Sequence, residues 1–226
     1  MKRRIIVTND GSNTIYVEDL DETYHSTNGA IVEANHVFIE AGLLECAKSK
    51  SKISIFEMGF GTGLNALLTS LKAKELALEI CYFGIEAFPV EDEIIGAIEY
   101  SNNLEANSDN EFDKIHFAKW NELVKINDCF SLQKIHSKIE DFSVTENSID
   151  LIYFDAFGPR AQKEMWDVNI LQKMYNMLTE NGILVTYCAN GQFKRDLKSL
   201  GFSVEALAGP PGKREMTRAM KDSFTF

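Results

Sequence analysis

The sequence predicts an α/β protein with a mostly parallel seven-stranded sheet, an antiparallel end to that sheet, and an N-terminal β-hairpin and helix ahead of it. Three observations predict this. From residue 53 onward short apolar runs alternate with helix-length stretches, the rhythm of strands joined by crossover helices and covered on both faces. The first run ends in three alternating glycines that lead straight into a helix-forming segment, a strand-to-helix junction. The last two runs have no crossover helix between them, so they form an antiparallel pair.

In chain order, residues 4–8 and 14–17 flank the turn-rich Asn9-Asp-Gly-Ser-Asn13 and read as a hairpin. Tyr24-His-Ser-Thr-Asn-Gly29 reads as a loop, and 30–48 as a helix with Ile31, Ala34, Val37, Phe38 and Ala41 at helical spacing. Strands follow over 53–58, 78–85, 130–137, 148–154 and 182–188, and helices over 64–74, 91–102, 164–178 and 192–200. A helix is expected around 120–124 in the otherwise ambiguous stretch 103–130. Asn181-Gly182 is expected to stop the helix before the fifth strand. Residues 202–207 and 216–221 close the sheet. Residues 1–50 thus read as an extension and 51–226 as the main domain.

With 226 residues and 45% hydrophobic content, the chain is long enough to bury one sizeable core. No apolar run reaches the roughly 18 residues of a membrane span, and the first ten residues are too polar for a secretion signal. Cys46, Cys81, Cys129 and Cys188 are widely spaced and read as reduced thiols of a cytoplasmic protein. The four histidines show no ligand spacing, so no metal is expected. A net charge of −11 argues against nonspecific binding to a polyanion. Residues 190–221 are different: seven cations against three acids give +4, a local face suited to phosphate or simply a solvated surface.

The chemistry gathers where strands end. Gly59, Gly61 and Gly63 let the backbone bend sharply and approach a ligand, and the following helix offers unpaired N–H groups. Glu57 precedes them, suited to a cofactor's amino-acid moiety or a water network under it; Asn65 opens the helix. Glu86 lies 23 residues after Gly63 at the end of the second strand, where a carboxylate accepts from both ribose hydroxyls of an adenosine-containing cofactor; Ala87 follows it. The glycines alone leave the cofactor open. Their tight alternation suits S-adenosylmethionine, whereas Gly61-x-Gly63-x-x-Ala66 also satisfies a dinucleotide pattern.

Asp155 ends the fourth strand, and Ala156-Phe157-Gly158-Pro159 then turns the chain across the cofactor mouth. Methyl transfer from a sulfonium needs an aligned, unprotonated nucleophile, and a carboxylate there can help an ammonium lose its proton. Phe157 and Trp166 are the aromatics to test for stacking on a nucleobase, with core packing the alternative role for each. A nicotinamide-dependent oxidoreductase, a methyltransferase for a small-molecule amine and a non-catalytic nucleotide-binding module remain as alternatives on these residues.

Three strings in this order, Phe56-Glu-Met-Gly-Phe-Gly-Thr-Gly-Leu-Asn65, Tyr153-Phe-Asp-Ala-Phe-Gly-Pro159 and Gly212-Lys-Arg-Glu-Met216, resemble one family. It is the methyltransferase part of the MnmC-type tRNA 5-methylaminomethyl-2-thiouridine-forming enzymes. Tyr24–Gly29 with Glu33, and Glu164-Met-Trp166, resemble it as well, so the likeness spans roughly 20–221. The resemblance implies a Rossmann-like, class I S-adenosylmethionine-dependent methyltransferase acting on the 5-aminomethyl group of the wobble uridine in a tRNA anticodon loop. It implies that the glycine loop and Glu86 hold S-adenosyl-L-methionine, that Asp155 lies at the reacting amine, and that Lys213, Arg214 and Glu215, with Phe157, Pro159 and Trp166, meet the nucleotide. Many members carry a FAD-dependent oxidase domain. No second glycine-rich motif occurs in this sequence, so it resembles the stand-alone form, without FAD and with a separate enzyme supplying the aminomethyl group. Ser137-Lys138-Ile139-Glu140-Asp141 departs from the family's usual acid after the third strand, and backbone at Lys138 and Ile139 is expected to read the adenine instead.

Overall fold

Strand β4 (Lys52–Met58) sets the layering of the molecule, because its alternate side chains go to opposite sides. Ile53 and Ile55 enter one apolar cluster, Phe56 and Met58 the other. The same division repeats on β8 (Ile149–Phe154), where Leu151 and Tyr153 face one layer and Ile152 and Phe154 the other. A strand apolar on both faces is stable only inside a sandwich, so helices have to cover both sides. The computed structural model of the chain describes residues 2–98, 100, 104, 108–143 and 145–222.

Five strands form the parallel middle of the main sheet: β9 (Leu178–Thr186), β8, β4, β5 (Glu79–Glu86) and β7 (Phe130–His136). From β4 the chain steps outward through β5 to β7, then returns to the other side of β4 for β8 and β9. That reversal opens a crevice at the carboxyl ends of β4, β5 and β8, where open α/β sheets take ligands. Beyond β9, β11 (Glu215–Lys221) and β10 (Phe202–Ala208) pair antiparallel, as expected.

One layer holds α3 (Leu64–Leu76), α5 (Ser108–Phe117) and the N-terminal helix; the other holds α6 (Val168–Met177) and α7 (Gly191–Ser199). The N-terminal helix is α-helical at α1 (Ala30–Ala34) and α2 (Leu44–Ala47), with a π-helical stretch, Asn35–Leu43, between them. Val37, Phe38, Ile39 and Leu43 are buried in the core on that stretch. Strands β1 (Arg3–Val7), β2 (Asn13–Val17) and β3 (Glu22–Thr23) make a separate antiparallel sheet, so the expected hairpin is present. Helix α4 (Asp92–Ile98) begins the helix expected over 91–102, whose last residues fall largely outside the described ones.

Four expectations are corrected. The main sheet has eight strands among the described residues, because Leu123–Asn127 is a strand, β6, antiparallel to β7. The helix expected around 120–124 is absent: Asn121 takes a left-handed φ of 64° and Trp120 bridges Lys134, so the open edge of β7 captures the segment. The helix expected over 164–178 is broken at Asp167, whose extended backbone separates a 3₁₀ turn (Lys163–Trp166) from α6 and whose side chain caps Asn169 N at 2.9 Å. Finally, Asn181-Gly182 does not end a helix. The helix stops at Met177, and Asn181, at φ 59°, sits in an irregularity where Ile149 pairs with Leu178 but Leu151 pairs with Ile183.

Candidate active site

The site is built from the carboxyl end of β4. Gly59 N and Phe60 N both donate to Ile85 O, at 3.1 and 3.0 Å, which ties the glycine loop to the neighbouring strand. Gly59 has φ +92°, and a Cβ there would lie 2.6 Å from the carbonyl oxygen of Asp155. Only glycine fits so close to that backbone. Gly61 has φ +52°, with the Tyr24 ring where its Cβ would reach, at 3.0 Å. The Glu86 carboxylate closes the loop from the side. Its Oε2 accepts from Gly61 N at 3.0 Å and its Oε1 from Phe88 N at 2.8 Å.

Three polar side chains form the floor. Asn65 Nδ2 donates to Glu57 Oε1 and to Asp155 Oδ2, both at 2.8 Å, so one amide bridges two carboxyl groups. Glu57 is buried, and burial, reinforced by the charge of Asp155, drives its carboxyl well above the usual range. Burial also pushes Asp155 up to about 7, with Glu33 adding to the rise while the Asn65 hydrogen bond and the Lys213 charge oppose it. Glu57 Oε2 and Asn65 Oδ1 are buried acceptors with no hydrogen-bond partner. The Tyr82 hydroxyl is a further buried atom of this kind, and it faces the Glu57 carboxyl beneath the cavity.

Around this floor lies a cavity of about 580 Å³, within the range of small-molecule sites. On one side it is lined by Ala87, Phe88, Lys138 and Ile139, on another by Ala156, Phe157, Gly158, Gln162 and Met165. Tyr24 to Thr27, Glu33, Tyr187 and Lys213 complete it. The Tyr24 and Phe157 rings meet edge-on, 5.1 Å apart. Two hydrogen bonds fix the turn after β8: Tyr187 Oη donates to Ala156 O and Trp166 Nε1 to Phe157 O, both at 2.8 Å.

Of the residues singled out in the sequence, Gly59, Gly61, Asn65, Glu86, Ala87, Lys138, Ile139, Asp155, Phe157 and Lys213 line this one cavity. Glu57 lies just beneath it, held by Asn65. Gly63 is left out of the lining and instead starts α3, donating to Phe60 O and accepting from Leu67 N. Trp166 is buried among Phe154, Phe193 and Tyr187 and does not reach the cavity, so it is placed to support Phe157 and not to stack on a base. Pro159 borders a second depression, separate from the main cavity; Arg214 and Glu215 lie off the main cavity, Glu215 being paired with Lys194 at 3.0 Å.

Sequence reasoning did not assign Tyr24, Glu33, Gln162 or Tyr187 to the site. Tyr24 and Glu33 come from the N-terminal extension, and nothing local in their sequence says that it folds over the crevice. Tyr187 follows a strand end just as Asp155 does, which is the signal that could have found it.

A crevice at the switch point of a parallel sheet, floored by a glycine loop and a strand-end carboxylate, defines a protein that binds an adenosine-containing cofactor. Comparison with known proteins makes the class specific. The sequence model of the S-adenosyl-L-methionine-dependent methyltransferase family Methyltransf_30 matches residues 106–222, and the chain belongs to that family. This removes the dinucleotide alternative for Gly61, Gly63 and Ala66. The residues fit the cofactor on the structure's own terms, since Asn65, Asp155 and Glu86 line the cavity beside the close-packed backbone of Gly59 and Gly61.

Among curated proteins, the chain is 26% identical over 228 residues to the tRNA 5-methylaminomethyl-2-thiouridine biosynthesis bifunctional protein MnmC of Cupriavidus metallidurans, covering 95% of this chain and 33% of that protein. It is 27% identical over 210 residues to the protein of the same name from Hydrogenovibrio crunogenus, covering 87% and 31%. The chain therefore spans about a third of the length of these relatives. Among solved structures, MNMC2 from Aquifex aeolicus superposes with a TM-score of 0.76 at 25% identity, covering 96% of this chain and 70% of that one. An S-adenosyl-L-methionine-dependent methyltransferase from Methanococcus maripaludis, at 11% identity and a TM-score of 0.51 over 87% of each chain, shares the fold.

Proposed function

We propose that the chain methylates the 5-aminomethyl group of uridine or 2-thiouridine at the wobble position of tRNA anticodons, giving 5-methylaminomethyl-(2-thio)uridine. The observation that carries this reading is Asp155, a buried carboxyl that binds a proton near neutrality on the floor of the cavity. S-adenosylmethionine supplies an electrophilic methyl group on a sulfonium. An amine acceptor is an ammonium in water and has to lose a proton before it can attack, and Asp155 is the group that takes it. The names of the relatives supply the acceptor, and the resemblance in the Tyr153–Pro159 and Gly212–Met216 strings supports it.

In this reading Gly59 and Gly61 cradle the cofactor while Gly63 turns the chain into α3. Asn65, held by Glu57 from beneath, meets its amino-acid end, Glu86 holds the ribose, and Ala87, Lys138 and Ile139 border the adenine. Phe157 and Lys213 face the acceptor nucleotide. Pro159, Arg214 and Glu215 meet the flanking RNA, and Trp166 acts on the nucleotide through Phe157. An anticodon loop can splay one base into such a pocket at modest cost. We assign residues 51–226 to methyl transfer, with 1–50 as an extension that roofs the site. The reading carries a cytoplasmic location and a separate enzyme that provides the aminomethyl group.

The test is incubation with S-adenosylmethionine and tRNA bearing 5-aminomethyluridine, followed by mass spectrometry of the nucleosides. A gain of one methyl group is expected. An unchanged nucleoside, with cofactor binding intact by calorimetry, would move the activity to a different acceptor.

A further inference from the structure

Among the acidic residues that line the cavity is a buried one that the reading above leaves without a role. Glu33, on α1, is buried, yet it lines the same cavity as Asp155. Its Oε2 accepts from Ser26 N at 2.8 Å, and its Oε1 pairs with Lys213 Nζ at 2.5 Å. That ammonium lies 3.8 Å from the centroid of the Tyr187 ring. The ring is held in place because its hydroxyl bonds Ala156 O, next to Asp155. A carboxylate and a fixed aromatic face, beside a second carboxyl group, thus enclose one ammonium. Such a set is a receptor for alkylammonium ions in general.

The acceptor proposed above is an alkylamine, cationic on arrival and cationic again once methylated. Its head group has the same chemistry as the lysine's. Resting on that amine-acceptor reading, we propose that Glu33 and the Tyr187 face form the subsite for the acceptor nitrogen, and that Lys213 occupies this subsite until the acceptor displaces it. The Lys213 side chain is 34% exposed and has room to withdraw toward solvent. Glu33 keeps its bond to Ser26 N and so stays in position. The proton shed by the acceptor ammonium passes to the Asp155 carboxylate, leaving a neutral amine and a carboxylic acid. After transfer, Glu33 and Tyr187 hold the cationic product.

Calorimetry with two nucleosides tests this. The probes are 5-aminomethyluridine, which is charged, and 5-hydroxymethyluridine, which is not, each titrated into protein saturated with S-adenosylhomocysteine. Neither probe carries a phosphate, so contacts with an RNA backbone do not enter. The wild type is expected to prefer the charged probe. Glu33→Gln, which keeps an acceptor for Ser26 N, should cut that preference by about tenfold or more, and Tyr187→Leu should cut it several-fold. Lys213→Met should tighten binding of the charged probe and leave the uncharged one unchanged.

No preference in the wild type, an undiminished preference in Glu33→Gln, or weaker binding of the charged probe by Lys213→Met would each overturn the subsite. If Glu33→Gln fails to fold, the Lys213 and Tyr187 variants still decide the matter. Affinity for S-adenosylhomocysteine is the control. Its absence in the wild type would refute the methyltransferase reading itself, an outcome distinct from loss of charge preference.

Discussion

Asp155 is placed where stability and reactivity pull in opposite directions. Burial raises its pKa from about 3.8 to about 7, so the folded protein favours the protonated form more than the unfolded chain does. Its contribution to stability is therefore fully present below pH 4 and is lost as pH rises through 7. In the proposed mechanism catalysis needs the opposite form, the carboxylate that takes the acceptor's proton. Asp155→Asn is accordingly expected to melt at a higher temperature than the wild type at pH 8, with the difference shrinking as pH falls toward 5. The same variant should lose about 10²-fold or more in kcat while keeping cofactor affinity. Calorimetric melting at several pH values and single-turnover assays check both. A variant that is fully active would remove the role given to this carboxylate. At Gly59 the constraint is steric: Gly59→Ala puts a Cβ 2.6 Å from Asp155 O at a φ of +92°. It should cost roughly 1–3 kcal/mol in stability and abolish detectable cofactor binding, as read by denaturant melts and calorimetry.

Elements explain which parts of the molecule could be read in advance. The parallel strands and the glycine loop were legible because β4, β5 and β8 are apolar runs bounded by strand-end acids, Glu57, Glu86 and Asp155, and that local pattern is what places them. Strand β6 was not legible. Leu123 to Asn127 alternates weakly, and it becomes a strand because β7 has an unfilled edge, a fact about distant residues. The site follows the same rule. Cofactor-side positions lie beside the motif, whereas Tyr24, Glu33 and Tyr187 come together only when the N-terminal segment crosses the sheet. The structure identifies what holds that segment down. Arg3 on β1 donates to Phe88 O at 2.7 Å, Pro89 O at 3.0 Å and Glu91 at 2.8 Å, tying the small sheet to the segment after Glu86. Arg3→Met should release this tie and weaken S-adenosylmethionine binding several-fold, with a stability loss of about 1–2 kcal/mol because the Arg3 side chain is buried and its bond to Pro89 O is only partly open to water. Titration calorimetry beside a melting curve separates the two effects. The turn that carries Phe157 is held in a comparable way by Trp166 Nε1. Trp166→Phe, which keeps the buried ring but removes the donor, should raise KM for the acceptor and leave cofactor affinity as it was.

Charge is the property that belongs to the whole molecule. On the proposed tRNA reading, a chain of net charge −11 has to meet the phosphates through a local surface, because its average field repels them. The +4 stretch at 190–221 suggested such a face, but folding has already committed most of its cations. Lys194 pairs with Glu215, Lys213 with Glu33, and Arg218 with Glu45 and Glu205. Lys221 is buried against the carbonyls of Tyr175 and Leu178. Arg195, Lys198 and Arg214 have no acidic partner among the described residues, and they are the ones available to phosphate. Each phosphate neutralised contributes about −0.7 to −0.9 to the slope of log K against log salt, so three contacts give a slope of roughly −2 to −3. Nitrocellulose filter binding of the aminomethyl-bearing tRNA across a salt series should show that shallow dependence. Arg214→Gln should flatten it by nearly one unit and leave nucleoside binding unchanged. A steep slope, on the order of −6 or beyond, would mean that many more cations contact the RNA than this stretch can supply. The RNA would then have to bind along another face of the protein.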